Sequence, residues 1–246
     1  MSAPADQGPL SQRVSGCCGA GGDRDQEQQV AMPPVVSIAE WNRARQQLLI
    51  KEKEATRMLD RLAAERRRLP MTRVENNYQF EGPQGLRSLF DLFEGRRQLI
   101  VYHFMYAPDW QTPCPGCCRR MDDVGHPAHL NARDTTFAVV ARSPYERLAA
   151  LWSRKGWTMP IWSYGDSNFN ADMGIAGDDD FGISVFFRDD SGGVYRSYFT
   201  DGRGVEPAGF RALLDMTPYG RQEDWEDSPG GWPQSPTHGW GSERDE

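Results

Sequence analysis

Residues 98–105, Gln-Leu-Ile-Val-Tyr-His-Phe-Met, form a continuous apolar run. Such a run is the mark of a strand buried on both faces at the centre of a sheet. It needs neighbours, and the sequence supplies them. Asp134 to Ala141 is a second buried strand, and Pro160 to Ser163 is a short extended segment. Ile183–Phe187 and Val194–Thr200 flank Asp189-Asp190-Ser191-Gly192-Gly193, which is a hairpin signal. Between the buried strands, Ser143 is placed to cap a helix with Pro144 at its first position, running to about Lys155 and Gly156. Pro207 to Met216 predicts a last helix. From residue 98 the order is strand, helix, strand, helix, strand, strand, helix, which implies right-handed parallel crossovers closed by an antiparallel hairpin.

That succession predicts an α/β fold: a thioredoxin-like three-layer α/β/α sandwich with a mixed central sheet, preceded by a long N-terminal helix. The helix starts at Ser37-Ile38-Ala39-Glu40, a capping-box pattern, and is expected to run to about Leu69, where Pro70 ends it. Trp41, Leu48, Ala55, Leu62 and Leu69 recur every seven residues and draw one narrow apolar stripe on a charged rod. Such a stripe suits either packing along its own domain or a homodimer seam through residues 37–70. Val74, Asn76, Tyr78 and Phe80 alternate as a half-buried strand does, Gly82-Pro83-Gln84-Gly85 reads as a turn, and Leu86 to Phe93 as a short helical segment stopped by Gly95. Tyr164 to Asp180 reads as a long loop. The expected division is a disordered tail over 1–36, the helix over 37–70, the thioredoxin-like domain over 71–221, and an acidic disordered tail over 222–246.

Charge narrows the function. The formal net charge is −7, but residues 222–246 carry seven acids against Arg244 alone, and the body between the tails is near neutral. Phosphate recognition needs a concentrated basic surface, so nucleic acid is not the expected ligand. No run of about 18 apolar residues is present, so no membrane span is expected. The first thirty residues show no apolar leader, and the expected compartment is the cytoplasm. There, paired cysteines serve catalysis or metal binding more often than structure.

The cysteines that matter follow the central strand within ten residues, as Cys114-Pro115-Gly116-Cys117-Cys118. Thiol exchange needs a thiolate, and a free cysteine has a pKa of about 8.5. A helix N-terminus supplies unpaired N–H groups and roughly half a positive charge, and Pro115 suits the first helical position. Cys114 therefore fits the attacking thiol, and Cys117, three residues on, the resolving thiol. Cys118 is a rival for either part, and Arg119 and Arg120 add positive charge nearby. Cys17 and Cys18 lie in the glycine-rich tail, which offers nothing fixed to acidify them.

The competing chemistry is zinc, from Cys114 and Cys117 with His126 and His129. The His spacing is shorter than usual and a second CxxC is missing, so the expectation is no metal and no other cofactor. His126 and His129 then read as surface or helix-end residues, and His103, inside the central strand, as a hydrogen-bonded core histidine.

Several runs act together: Glu40-Trp41, Glu65-Arg66-Arg67-Arg68-Leu69-Pro70, Asp91-Leu92-Phe93-Glu94-Gly95-Arg96, Pro108-Asp109-Trp110, the CPGC run, and His129-Leu130-Asn131-Ala132-Arg133-Asp134. In combination they resemble a bacterial thioredoxin-like family carried under a domain-of-unknown-function label and sometimes called dithiol-disulfide isomerase-like. The resemblance spans about residues 35–220. It implies the fold, a thiol-disulfide oxidoreductase activity, and a protein or small-molecule thiol or disulfide as partner. Trp110, Pro115 and Gly182 are the candidate substrate-binding positions. Two departures stand out. Thioredoxins place a cis-proline before the third core strand, whereas this chain has Asp180-Phe181-Gly182-Ile183. Peroxiredoxins use Pro-x3-Thr-x2-Cys, whereas Pro108-x3-Thr112 precedes Cys114 by one residue too few. A peroxidase is thus a lesser alternative, and a non-catalytic binding or scaffold protein the main one.

Overall fold

A computed structural model describes residues 32–201 and, beyond them, 223–225, 227, 228, 230, 231 and 234. The tail cysteines Cys17 and Cys18, the last helix expected at Pro207–Met216 and most of the acidic tail lie outside the described residues.

The apolar run becomes β4 (Gln98–His103), the inner strand around which the sheet is built. It pairs in parallel with β5 (Thr135–Ala141), from Gln98 opposite Thr135 to His103 opposite Val140. On its other side it pairs antiparallel with β7 (Gly182–Arg188), Gln98 opposite Phe187 and His103 opposite Gly182. Strand alternation then sorts its side chains. Leu99 and Val101 join one buried cluster with Ala138, Val140 and Phe186, while Tyr102 and Phe104 join another with Val139, Ala141, Leu148 and Trp152.

The remaining elements are α1 (Ile38–Arg66), β1 (Thr72–Arg73), β2 (Gln79–Gly82), β3 (Gly85–Ser88), α2 (Pro115–Asp123), α3 (Ala128–Asn131), α4 (Tyr145–Lys155), β6 (Ile161–Ser163), α5 (Phe169–Asp172) and β8 (Val194–Asp201). Among the described residues the sheet has eight strands, in the order β1-β8-β7-β4-β5-β6-β2-β3. β4, β5 and β6 are parallel neighbours linked through α2 and α4, and β7 and β8 close the sheet as an antiparallel hairpin on the far side of β4. This is the thioredoxin-like connectivity. Because the chain advances the same way at both crossovers, α2 and α4 cover the same face, packing with Tyr102, Val139 and Ile161. The opposite face is covered by α5 and by a single 3-10 turn at Asp91–Phe93, through Phe169, Met173, Leu92 and Phe93.

Four local expectations change. Leu86–Phe93 is not helical as a whole, because Gly85 (φ +81°) turns the chain back and β3 pairs with β2 from Gly82–Gly85 to Gln79–Ser88. Only Asp91–Phe93 then coils, after Ser88 and Asp91 exchange hydrogen bonds of 2.7–3.3 Å. The alternation over 74–80 contributes strand only from Gln79. Ser143 does not cap α4. Pro144 holds that position, and the buried Ser143 hydroxyl donates to the Ala107 carbonyl instead. The loop over 164–180 contains α5, whose Phe169 is fully buried.

The long helix begins as expected. Ser37 Oγ accepts from Glu40 N–H, and the Glu40 carboxylate accepts from Ser37 N–H at 3.1 Å. It stops at Arg66, one turn short of Pro70, in two successive tight turns at Arg68 and Leu69. None of its residues is buried, and Trp41 and Leu48 of the stripe are more than half exposed.

Candidate thiol site

The connection from β4 to α2 is fastened before it delivers the cysteines. Phe104 N–H donates to Val140 O, and Ser143 N–H to Tyr106 O. Arg147, on the first turns of α4, reaches across to it. Its guanidinium donates to the carbonyls of Pro108, Trp110 and Gln111 and lies 4.4 Å from the centre of the Tyr106 ring. One cation thus satisfies three loop carbonyls that no sheet partner reaches. Replacing Arg147 with methionine keeps the apolar stem and removes those bonds. The expected result is a loss of about 2 kcal/mol in urea unfolding, the scale of charged hydrogen bonds plus a ring contact. Faster amide exchange confined to 106–114 should accompany it, and uniform exchange across the sheet would count against the clamp.

Cys114 N–H donates to Met105 O at 3.1 Å, and Cys114 is the N-cap of α2, with Pro115 at the first helical position. Its own carbonyl accepts the first helical bond, from Cys118 N–H at 3.0 Å. Its thiol is therefore at the positive end of the helix and half-buried. Cys117 lies one turn in, with 2 % of its surface exposed. Its thiol donates to Cys114, and that bond, followed by burial, pushes its pKa well up. Its sulfur in turn accepts from the Tyr102 hydroxyl at 3.3 Å and from Met105 N–H, both of which favour the thiolate. None of the three site cysteines is in a disulfide. Cys114 and Cys117 form one connected pair, open at Cys114 and closed at Cys117.

The other candidates fall in different places. Cys118 is 4 % exposed and packs with Cys117 and Met121 in the core, so it is closed to a substrate that Cys114 can meet. Trp110 is half-buried against the same cluster as the thiols, and Pro115 is exposed beside Cys114. Gly182 is buried at the start of β7. A Cβ there would come within 2.9 Å of Ile175 and Phe199, so this glycine serves close packing and has no free face for a substrate. His126 is exposed, and its ring accepts from Ala128 N–H at the start of α3. Among the described residues no three His, Cys, Asp or Glu side chains gather as a metal-holding group, and the side chain of His129 lies outside them.

His103 points to the opposite face of the sheet from Tyr102. Its ring is fully buried, hydrogen-bonded to Asn170 Oδ1 and Ser184 Oγ at 2.8 Å each and stacked on Phe169. It is the core histidine of the sequence reading. The group on the thiol side is Tyr102, which the sequence reading passed over. The one available signal was parity: in a strand buried on both faces, neighbours 102 and 103 face opposite layers, and only one of them faces α2.

A family model described as "Bacterial protein of unknown function (DUF899)" matches residues 30–246. No curated protein is similar in sequence. Among solved structures, a putative thiol:disulfide interchange protein DsbE from Chlorobium tepidum is similar at 12 % identity over 52 % of this chain and 85 % of that one, with a TM-score of 0.37. An uncharacterised conserved protein from Geobacillus kaustophilus is similar at 14 % identity over 60 % and 80 %, with a TM-score of 0.39. Reduced Prx3 from Vibrio vulnificus in complex with H2O2 gives 14 % identity over 57 % and 89 %, with a TM-score of 0.37. Likenesses of this order say nothing about chemistry.

Proposed function

For this chain, which belongs to the DUF899 family of bacterial proteins of unknown function, we propose a thiol-disulfide oxidoreductase in which Cys114 attacks and Cys117 resolves. One observation carries the reading: a half-buried thiol at a helix N-terminus accepts a hydrogen bond from a buried thiol one turn on. The pair divides the work. The Cys114 thiolate attacks a substrate disulfide, forming a mixed disulfide and releasing one substrate sulfur as a thiolate. Cys117 then attacks Cys114 Sγ. The Cys114–Cys117 disulfide forms, the second substrate sulfur leaves, and the Cys117 proton ends on it. The substrate disulfide gains the two electrons that the dithiol loses, and no metal or cofactor is required. Substrates are protein or small-molecule disulfides that fit beside Trp110 and Pro115. The compartment of the reading is the cytoplasm, where paired cysteines more often serve exchange than cross-linking. Among the described residues no helix is long and apolar enough to cross a membrane.

The test is the alkylation rate of each cysteine against pH, resolved by peptide mass spectrometry. At pH 6.5 Cys114 should react at least about tenfold faster than Cys17 or Cys18, since one unit of acidification is about 1.4 kcal/mol and within reach of a helix terminus. Cys117 and Cys118 should lag because they are buried. If Cys114 reacts no faster than Cys17, the binding-module reading takes its place. In that reading α1, with no buried residue along its 29, is the partner or homodimer surface. Catalytic turnover of hydrogen peroxide by the reduced protein would favour the peroxidase.

A further inference from the structure

The resolving step poses a physical problem that the dithiol alone does not solve. Cys117 must become a thiolate to attack, yet it is 2 % exposed, and burial opposes its charge. While Cys114 is reduced, Cys117 donates its proton to Cys114. Once Cys114 is tied up in a mixed disulfide, that acceptor is no longer a thiolate, and Cys117 has to ionise against whatever surrounds it. In the same buried cluster are Tyr102 on β4, whose hydroxyl reaches the Cys117 sulfur, and Cys118 and Met121 within α2, with Cys114 at the N-cap packed against them.

We propose that Tyr102 is a catalytic residue of this resolving step: its hydroxyl, 3.3 Å from Cys117 Sγ, donates to that sulfur as it loses its proton and attacks the mixed disulfide on Cys114. The inference rests on the exchange reading above. Tyr102 is built for the part. It sits on the inner strand, is 2 % exposed, and cannot swing away. Burial and the neighbouring thiols hold its own pKa far above the usual phenol range, so it stays a donor and does not compete as an anion. Met105 N–H is the second donor to the same sulfur. Together they form a small anion cradle for Cys117, fixed before the reaction and so free of reorganisation cost when charge develops. The balance is unchanged: the Cys114–Cys117 bond forms, the bond from Cys114 to the substrate sulfur breaks, and the Cys117 proton ends on that leaving sulfur while Tyr102 keeps its own.

The experiment uses the full chain with Cys17 and Cys18 replaced by serine, and one equivalent of 5,5′-dithiobis(2-nitrobenzoate). Attack by Cys114 releases one coloured thiolate, and resolution by Cys117 releases a second, so the two steps separate in time. In Tyr102→Phe the first release should keep its rate within about twofold. The second should slow about tenfold or more, the scale of one hydrogen bond to a charged group. Phenylalanine keeps the ring in its place. Should it nonetheless fail to fold, 3-fluorotyrosine incorporated at Tyr102 offers a stronger donor of nearly the same size and should speed the second release. An unchanged second release in Tyr102→Phe, or in the fluorotyrosine protein, overturns the role of Tyr102 and leaves the exchange reading standing. A parent protein that never gives the second release overturns both.

Discussion

Cys114→Ser abolishes disulfide exchange, and Cys117→Ser leaves the protein stalled as a covalent adduct on Cys114. These are the expected results for a pair in which one thiol is open and the other closed. Serine at 114 keeps the N-cap geometry, and indeed favours it, since a hydroxyl caps a helix well. The fold is therefore retained while the nucleophile is gone, and the rate should fall on the order of a thousandfold or more. At 117 the loss is different in kind. The first attack proceeds, but the mixed disulfide has no buried thiolate to displace it. Intact-mass measurement after exposure to an aryl disulfide should find one adduct per chain, mapped to Cys114, persisting for hours until an external thiol is added. In the unaltered protein the same treatment should end with no adduct and a Cys114–Cys117 disulfide. Cys118 supplies the discriminating control. An adduct that is stable in Cys118→Ala but resolved in Cys117→Ser would transfer the resolving role to Cys118, against its burial beside Met121.

The parts of this molecule that were legible in sequence are those written in short-range chemistry. The run over 98–105 specifies an inner strand because both its faces are apolar, and it becomes β4, paired on both sides. Pro115 marks the first turn of α2, and Gly125 (φ +73°) with Pro127 confines that helix to Pro115–Asp123. The capping box opens α1 where Ser37 and Glu40 place it. What stayed hidden depends on contacts between distant segments. The β2–β3 hairpin exists because Glu81 pairs with Ser163 and because Gly82 lets the Trp162 ring approach, where a Cβ would meet it at 2.2 Å. Nothing local announces that contact, and Gly82 alone reads only as a turn. The face of each residue on β4 is hidden for the opposite reason. When both faces are apolar, alternation carries no contrast, so Tyr102 and His103 look alike until α2 covers one side and α5 the other. The same ambiguity leaves Cys118 a rival of Cys114 and Cys117 in sequence. Position on a first turn does not reveal rotation about the helix axis, and here Cys117, Cys118 and Met121 share the buried side.

His103 should dominate the stability of the fold between about pH 6.5 and pH 4. Burial is the main cause that lowers its pKa to about 4; the bond to Asn170 and the charge of Asp180 oppose this, and Arg196 adds to it. In the unfolded chain the ring takes up its proton near the ordinary value of about 6.5, while in the fold it stays neutral. Between those two values the unfolded state binds more protons, so stability falls as pH falls, and below about pH 4 this contribution levels off. A separation of that size is worth about 3 kcal/mol, a large share of the roughly 5–15 kcal/mol that holds a domain together. Urea unfolding followed at half-unit pH steps from 7.5 to 3.5 measures it. His103→Gln removes the titration and breaks the matched pair of bonds to Asn170 and Ser184, so it should cost on the order of 2–4 kcal/mol at pH 7. Every other titrating group is common to both proteins, and the difference between the two pH curves cancels its contribution. The two curves should therefore converge as pH falls toward 4. Parallel curves would mean that His103 binds its proton in the fold as readily as outside it, and that the Asn170–His103–Ser184 arrangement accommodates an imidazolium. Thiol reactivity offers an independent check on the side of the sheet. Because His103 faces away from Cys114 and Cys117, a folded His103→Gln protein should keep the alkylation rate of Cys114 within about twofold, on the scale where a tenfold change marks about 1.4 kcal/mol.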